Sequence, residues 1–298
     1  MADIGSAKSL SALVVVGSYP TIMALAFALN GTLTTAGLPT ALASYAAVLI
    51  GAALITLHEV RLPCRKDWRP CASEVGNDAL FMVTVQIALP YILSITLVIA
   101  LATHLTTAGF AVQGFWPDDW PVAAQACLML VAADFPRYWL HRAFHKYLPM
   151  WRFHAVHHSP HRLYWLNVGR FHPVDKALQY VVDALPFAPL GVSSDVLAAY
   201  FVFYAINGFF QHSNCRVRLG PLNYLVSGPE LHRWHHSVLV EESDTNFGNN
   251  LIVWDLLFGT WFLPSDRKVG LLGLVNRQYP TGFLVQMKSP FVRGLDKG

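Results

Sequence analysis

The feature that most constrains this chain is a series of long apolar runs in its first half. They cover residues 10–29, 41–57, 79–103 and 121–140. Each run is close to the roughly 20 residues that an α-helix needs to cross the hydrocarbon core of a bilayer. Hydrophobic residues make up 54% of the chain and charged residues only 13%, whereas charged residues are roughly 25% of an average soluble domain. The sequence therefore predicts an all-α membrane protein with about four spans.

Two shorter apolar runs follow at 177–190 and 196–210, separated by residues 191–195, which begin with Gly191, Val192 and Ser193. Each is shorter than a comfortable membrane span. The pair is consistent with a hairpin that re-enters one leaflet and equally with two crossings, and the sequence does not separate these arrangements. Either arrangement returns the chain to the same side of the membrane at His212.

The basic residues of the loops predict the orientation of the spans. Loop 58–78 carries four Lys or Arg residues, whereas loops 30–40 and 104–119 carry none. Because basic loops stay on the cytoplasmic side, loop 58–78 and both chain ends are expected in the cytosol. The fourth apolar run then ends on that same side, at the start of a histidine-rich region.

Histidine is concentrated in this second half of the chain. Eleven of the thirteen histidines lie between 141 and 236, and eight of them form three boxes: H-x-x-x-H at 141–145, and H-x-x-H-H at 154–158 and at 232–236. Residues three and four apart share one face of a helix, and neutral imidazole binds iron, zinc, copper and nickel. Because one zinc ion takes about four protein ligands, eight candidates predict two metal ions.

The three boxes, in this order behind apolar helices, resemble the fatty acid hydroxylase and sterol desaturase superfamily of membrane-bound di-iron enzymes. The likeness covers residues 120–265 and extends to the segments DTNFGNN at 244–250 and WDLLFGTWF at 254–262. The resemblance implies two non-haem iron ions, with O₂ as co-substrate. It also adds His212 to the expected metal ligands, whereas Gly208 stands where some members have a further histidine. The expected ligands are His141, His145, His154, His157, His158, His212, His232, His235 and His236.

Six further residues are expected to support these ligands from outside. Asp134 and Glu230 are placed to accept hydrogen bonds from imidazole N–H groups, and for Asp134 a salt bridge with a nearby arginine is the equal alternative. His172 and Asp175 resemble the family's His-Pro-acid element, which implies a supporting role or a substrate gate. Asp244 and Asn246 either contact the ligands or fix their own loop.

The resemblance implies O₂-dependent hydroxylation or desaturation of a lipid. The first box is similar to the sterol desaturase branch, but a sterol, a fatty acyl chain, an ether lipid and a carotenoid all remain open as substrates. The sequence has no nucleotide-binding fingerprint and no cytochrome b5 motif, which predicts an external electron donor: a ferredoxin, a cytochrome b5 or a reductase. Two alternatives remain, a membrane hydrolase that uses zinc as a Lewis acid and a metal-handling protein without enzymatic activity.

The chain is expected to divide into a transmembrane region at 1–120, a catalytic domain at 121–265 and a cytosolic tail at 266–298. Alanine-rich spans favour a bacterial inner membrane over the endoplasmic reticulum. A nucleic-acid partner is not expected, because the sequence has no stripe of Lys and Arg. The four cysteines form no C-x-x-C pair and therefore predict no thiolate metal site.

Overall fold

Helices form almost all the regular structure of this protein. The computed structural model describes residues 3–108 and 114–295. Within these ranges, β-structure is limited to three isolated bridges, Pro63 with Cys215, Val226 with Leu251, and Ser237 with Leu272. The prediction of an all-α fold is confirmed.

The first half of the chain contains the long apolar helices. Two of them are α1 (Asp3–Thr35) and α2 (Thr40–Arg61). A third, nearly continuous helix is built from α3 (Ala72–Phe81), α4 (Leu89–Leu93) and α5 (Ile99–Thr107), linked by π-helical turns at Met82–Ala88 and Ser94–Val98. Among the residues that the structure describes, three stretches are long and apolar enough to cross a membrane: Ser11–Thr35, Thr40–Arg61 and Ala72–Leu105.

The fourth apolar run forms α6 (Val122–Lys146), a helix of 25 residues. Its length is sufficient for a span, but the charged residues Asp134 and Arg137 lower its apolar character, and it is not among the three stretches above. The number of spans therefore stays a prediction. The run at 177–190 is divided between helix α8 (Pro173–Asp183) and a 3₁₀ turn at Leu185–Phe187, while the run at 196–210 lies in α9 (Ser194–His212).

The remaining α-helices are short, and two of them carry histidine boxes. Helix α7 (Leu148–His158) follows α6 after one residue, Tyr147. Helix α10 (Pro229–His235) carries the third box. Three further short α-helices follow in the described chain: α11 (Val240–Ser243), α12 (Val253–Phe258) and α13 (Phe283–Gln286).

Helix α9 is the central element of the core. One side of it packs on α1 and α2 through residues that include Tyr19, Ile55 and Ile206. The beginning of α9 contacts α6, where Val196 packs against a cluster that contains Met129. At Gly51, an added Cβ would lie 2.3 Å from Ile206 Cδ1, so glycine lets the Ile206 side chain of α9 pack directly on the α2 backbone. This packing directs the C-terminal end of α9, with His212, towards the histidine boxes.

The basic loop after α2 lies at the same end of the molecule as His212. The backbone N–H of Cys64 donates to the carbonyl of Asn214, and the N–H of Arg216 donates to the carbonyl of Leu62. Asn214 is two residues beyond the end of α9. The basic loop, from which the cytosolic side is predicted, therefore lies at the same end of the helical bundle as the histidine-rich region.

Candidate metal centre

Nine histidines converge in two adjoining groups in the interior of the protein. In each group, one ring nitrogen from every histidine lies within 4.8 Å of those of the others. The rings of His158 and His236, which belong to different groups, stack with their centroids 4.4 Å apart. We call the first group cluster A and the second cluster B. Cluster A contains His141, His145, His154, His158 and His235; cluster B contains His157, His212, His232 and His236.

Each H-x-x-H-H box supplies histidines to both clusters. In the second box, His154 and His158 are one turn apart and enter cluster A, whereas His157 enters cluster B. In the third box the assignment is reversed, because the pair His232 and His236 enters cluster B and His235 enters cluster A. Residues i and i+4 lie on nearly the same helix face, while i+3 is rotated away. Each of these two boxes therefore connects cluster A with cluster B through its own short helix.

Six of the nine imidazoles have an oxygen acceptor next to Nδ1. The acceptors are carbonyls, carboxylates and a side-chain amide oxygen, all at 2.7–3.3 Å. Because such oxygens only accept, Nδ1 must carry the proton in each of these rings, and Nε2 of the neutral ring keeps its lone pair. The pairs are His141 with Phe247 O, His145 with Asp244, His154 with Asp175, His157 with Arg170 O, His212 with Asn167, and His235 with Thr245 O.

The Nε2 atoms point at one another inside the clusters. Two pairs in cluster A are 3.1 Å apart, His141 with His154 and His145 with His158. In the first pair, the Nε2 atoms of His141 and His154 both carry a lone pair, so no proton lies between these two nitrogens. In the second pair, the Nε2 atom of His145 carries a lone pair. Nε2 of His212 is buried and has no hydrogen-bond partner in the described part of the chain. Converging lone pairs of this kind fit bound cations, which would replace the repulsion by coordination.

Burial also favours the neutral form of several of these imidazoles. It lowers the pKa of His157, His158 and His236 well below the ordinary value, and the neighbouring imidazoles lower it further. Burial lowers the pKa of His212 to about 3. A metal ligand must present a lone pair rather than a proton, so these rings are in the state that coordination requires.

Comparison with known proteins identifies the family of this chain. The sequence model of the fatty acid hydroxylase family matches residues 126–260. The ornithine lipid hydroxylase of Rhizobium tropici is 40% identical over 248 residues, which cover 81% of this chain and 73% of that protein. The chain belongs to the fatty acid hydroxylase family. An alkylglycerol monooxygenase of Xenopus tropicalis is 31% identical over 165 residues, covering 54% of this chain and 35% of that protein. No solved structure matches the chain.

This fatty acid hydroxylase family member has a cavity that leads from the apolar helices to the clusters. Its volume is about 380 Å³. Residues of α2 such as Val48 and Leu49 form part of its wall, and histidines of both clusters, including His141 and His212, also line it. Gly208, one turn before His212, lines the cavity as well, so the absence of a side chain there leaves space beside cluster B.

One loop, residues 244–250, supplies three of the contacts to cluster A. The Asp244 carboxylate, the Thr245 carbonyl and the Phe247 carbonyl accept from His145, His235 and His141. Asn246 has a left-handed backbone with φ of 54°, and its side-chain amide contacts Leu231 O, Phe262 O and Phe262 N. Asp244 therefore contacts a ligand candidate, whereas Asn246 fixes the loop, and both roles were among the expectations.

The His-Pro-acid element lies at the start of α8. Asp175 accepts from His154 and is itself held by Gln179. His172 is outside both clusters: its Nδ1 accepts from Val174 N–H and its Nε2 lies 3.2 Å from Met287 O. His172 therefore caps α8 and holds the turn from which Asp175 reaches the cluster.

Two sequence expectations need correction, because neither Asp134 nor Glu230 has an imidazole partner among the described residues. Asp134 accepts from Asn250 and Leu251, and Glu230 accepts from Leu219 N–H and the Asn223 amide. Asp134 is two helical turns, about 10 Å, before His141. Glu230 is two residues before His232, so its side chain points about 200° away around the helix.

Two supporting residues were missed by the sequence reasoning. Asn167 orients His212, and its own amide donates to Arg162 O, which fixes its oxygen towards the ring. Asp255 accepts from the N–H groups of Phe247 and Gly248 and so holds the loop; burial raises its pKa to about 6. Asp255 lies in the WDLLFGTWF segment, but no spacing signal connects Asn167 with a histidine 45 residues away.

We expect Asn167→Ala to weaken metal binding by about 10- to 100-fold, the usual effect of removing the partner of a metal-binding histidine. The loss of Oδ1 frees the His212 ring to rotate and removes the acceptor that fixes its tautomer. Metal affinity, measured by competition with a chelator, checks this. Asn167→Asp keeps an acceptor oxygen and should restore most of the affinity; equal affinities in all three proteins would contradict the role.

We expect the metal-free protein to lose stability as the pH falls from about 6.5 towards 3. In this interval the unfolded chain protonates a histidine such as His212 that the folded chain keeps neutral. Each such histidine contributes up to about 1.4 kcal/mol per pH unit, and the lowered pKa values of His157 and His158 act in the same direction. Thermal unfolding of the chelator-treated protein measures the effect, and a flat profile over this interval contradicts it.

Proposed function

We propose that this protein is a membrane-bound lipid hydroxylase in which clusters A and B each hold one non-haem iron ion. The observation that supports this most strongly is the convergence of nine imidazoles at one end of an apolar cavity. A cavity bounded by membrane-type helices suits a lipid chain, and an all-histidine site suits a redox metal such as iron. O₂ is the proposed co-substrate, and the electrons come from an external donor.

In this proposal the protein positions the reactants. Bound iron would supply O₂ activation and hydrogen abstraction from an unactivated C–H bond. The nine histidines would hold the ions through the ring nitrogens that face inward, while the oxygen acceptors at Nδ1 keep the rings oriented. The cavity walls would align the lipid and exclude water, because buried aromatic residues such as Phe144 and Phe171 surround the clusters.

We further propose that the substrate is an amino-acid-containing lipid and that the reaction is hydroxylation. The support is the 40% identity to an ornithine lipid hydroxylase over most of both chains. A second relative is a monooxygenase that acts on alkylglycerol by name. Both names describe insertion of oxygen, which favours hydroxylation over the desaturation that the sequence left open.

The side of the membrane on which the metal centre lies is proposed from the basic residues of the loops. The basic loop after α2 and the end of α9 are hydrogen-bonded together, so a cytosolic loop would place the metal centre on the cytosolic side. We propose a bacterial inner membrane as the location, with residues 121–265 as the catalytic domain. A ferredoxin, a cytochrome b5 or a reductase on the cytosolic side would then deliver the electrons.

The proposal is tested with protein purified in detergent from iron-supplied cells. We expect one iron ion per cluster, hence two per chain, and no haem absorption band. With a ferredoxin and its reductase, isotopically labelled O₂ and ornithine lipid, we expect one labelled oxygen atom in the product. Protein that binds only zinc under these conditions, and does not oxidise the lipid after reconstitution with iron, would favour the hydrolase instead.

A further inference from the structure

The cavity beside the metal centre contains a buried guanidinium group, that of Arg137. Arg137 is 6% exposed and lines the cavity together with His141. The two residues are one turn apart on α6, a rise of about 6 Å along the helix axis. A permanent positive charge therefore lies next to the histidine clusters, on a wall that is otherwise largely apolar.

One donor of this guanidinium, the Nε–H group, is buried without a hydrogen bond within the described ranges. Arg137 forms a long ion pair with Asp183, in which Nε lies 3.9 Å from Asp183 Oδ2. This distance is beyond hydrogen-bond length, and Nε has no hydrogen-bond partner among the described residues. Asp134, one turn earlier, directs both carboxylate oxygens at Asn250 and Leu251 instead. A buried charge is costly until it is hydrogen-bonded. Because the ion pair with Asp183 is too long for a hydrogen bond, the Arg137 guanidinium can donate to a further anionic group in the cavity.

A second unpartnered donor lines the same cavity. The side-chain Nδ2 of Asn249 is buried and makes no hydrogen bond to the part of the chain that the structure describes. Asn249 belongs to the loop whose Phe247 carbonyl contacts His141. Arg137 and Asn249 therefore reach the cavity from two elements that both flank His141.

We propose that Arg137 and Asn249 bind the anionic oxygen group of a lipid headgroup and so position the substrate against the metal centre. The group is a carboxylate in an ornithine lipid, or a phosphate in a phospholipid. A guanidinium matches both geometrically, because its N–H groups form a fork that donates to two oxygens at once. This inference rests on the proposed function, since it concerns the substrate of the same site.

The test measures lipid binding to the full chain in detergent by native mass spectrometry, which does not depend on catalysis. The probes are ornithine lipid, its carboxyl methyl ester and phosphatidylglycerol. We expect Arg137→Gln to weaken binding of ornithine lipid by about 10- to 100-fold, the effect of losing a charge-assisted hydrogen bond. The ester should bind both proteins equally weakly, Arg137→Lys should recover part of the affinity, and Asn249→Ala should weaken binding less.

Arg142→Gln is the matched control, because Arg142 lies on the same helix but hydrogen-bonds Tyr138 and stacks on Trp139. If Arg137→Gln does not fold, the double variant Arg137→Gln/Asp183→Asn removes the buried pair together. Equal binding of ornithine lipid to the wild type and to the folded variant would overturn the proposal, as would equal binding of acid and ester.

The remaining outcomes separate this inference from the proposed function. Arg137-dependent binding of phosphatidylglycerol without binding of ornithine lipid would support the anion site and refute the amino-acid lipid as substrate. Arg137-dependent binding of ornithine lipid that the iron-loaded protein does not oxidise would support the anion site and refute the proposed reaction.

Discussion

Replacement of His157 or His235 by alanine is expected to abolish the proposed lipid hydroxylation, with a loss of at least about 1,000-fold, or about 4 kcal/mol in the activation free energy. His157 is one of four histidines in cluster B, and His235 is one of five in cluster A. Iron content should fall in both variants. It should fall further in His157→Ala, because three ligands remain in cluster B whereas four remain in cluster A.

Iron per chain, measured by elemental analysis on purified protein, checks this prediction. His161→Ala is the matched control, since His161 is three residues beyond His158 but outside both clusters. The control should keep its iron and its activity. Full iron occupancy in both His157→Ala and His235→Ala, in protein that remains folded and membrane-inserted, would rule out these clusters as the metal centre.

The second large effect is expected at Asp134, although it contacts no histidine among the described residues. Its carboxylate accepts from the Asn250 backbone, the Asn250 amide and the Leu251 backbone. Asp134→Ala would leave these donors buried without partners, at about 1–3 kcal/mol each. We expect a total loss of about 3–5 kcal/mol in stability. Iron content should fall as well, because the loop at 244–250 ends at Asn250 and supports cluster A.

The stability of Asp134→Ala is measured by thermal unfolding in detergent, with the metal content determined in parallel. Asp134→Asn keeps one acceptor oxygen and should be intermediate. Asp266→Ala removes an exposed carboxylate and should leave both quantities unchanged. A stability equal to that of the wild type in Asp134→Ala would contradict the role assigned to these hydrogen bonds.

Local periodicity explains what the sequence could predict. Apolar runs of sufficient length form helices in a membrane because every backbone group is then satisfied within the helix. Spacings of three and four residues place the histidines of each box near one another for the same geometric reason. All nine predicted ligand candidates lie in the two clusters. Eight of them could be predicted because the boxes are local patterns, and His212 was predicted from the family resemblance.

The assignment of histidines to clusters depends on the tertiary structure. The spacing of a H-x-x-H-H box does not reveal that His157 and His235 each join the opposite cluster from their neighbours, because this depends on how α7 and α10 face each other.

The hydrogen-bond partners depend on tertiary structure in the same way. Asn167 meets His212 from 45 residues away, and Phe247 meets His141 from 106 residues away. Asp134 turns to a distant loop rather than to a histidine on its own helix. The sequence determined which side chains are available for chemistry; helix packing decided which nitrogen faces which partner, because long-range hydrogen bonds leave no periodic trace in the chain.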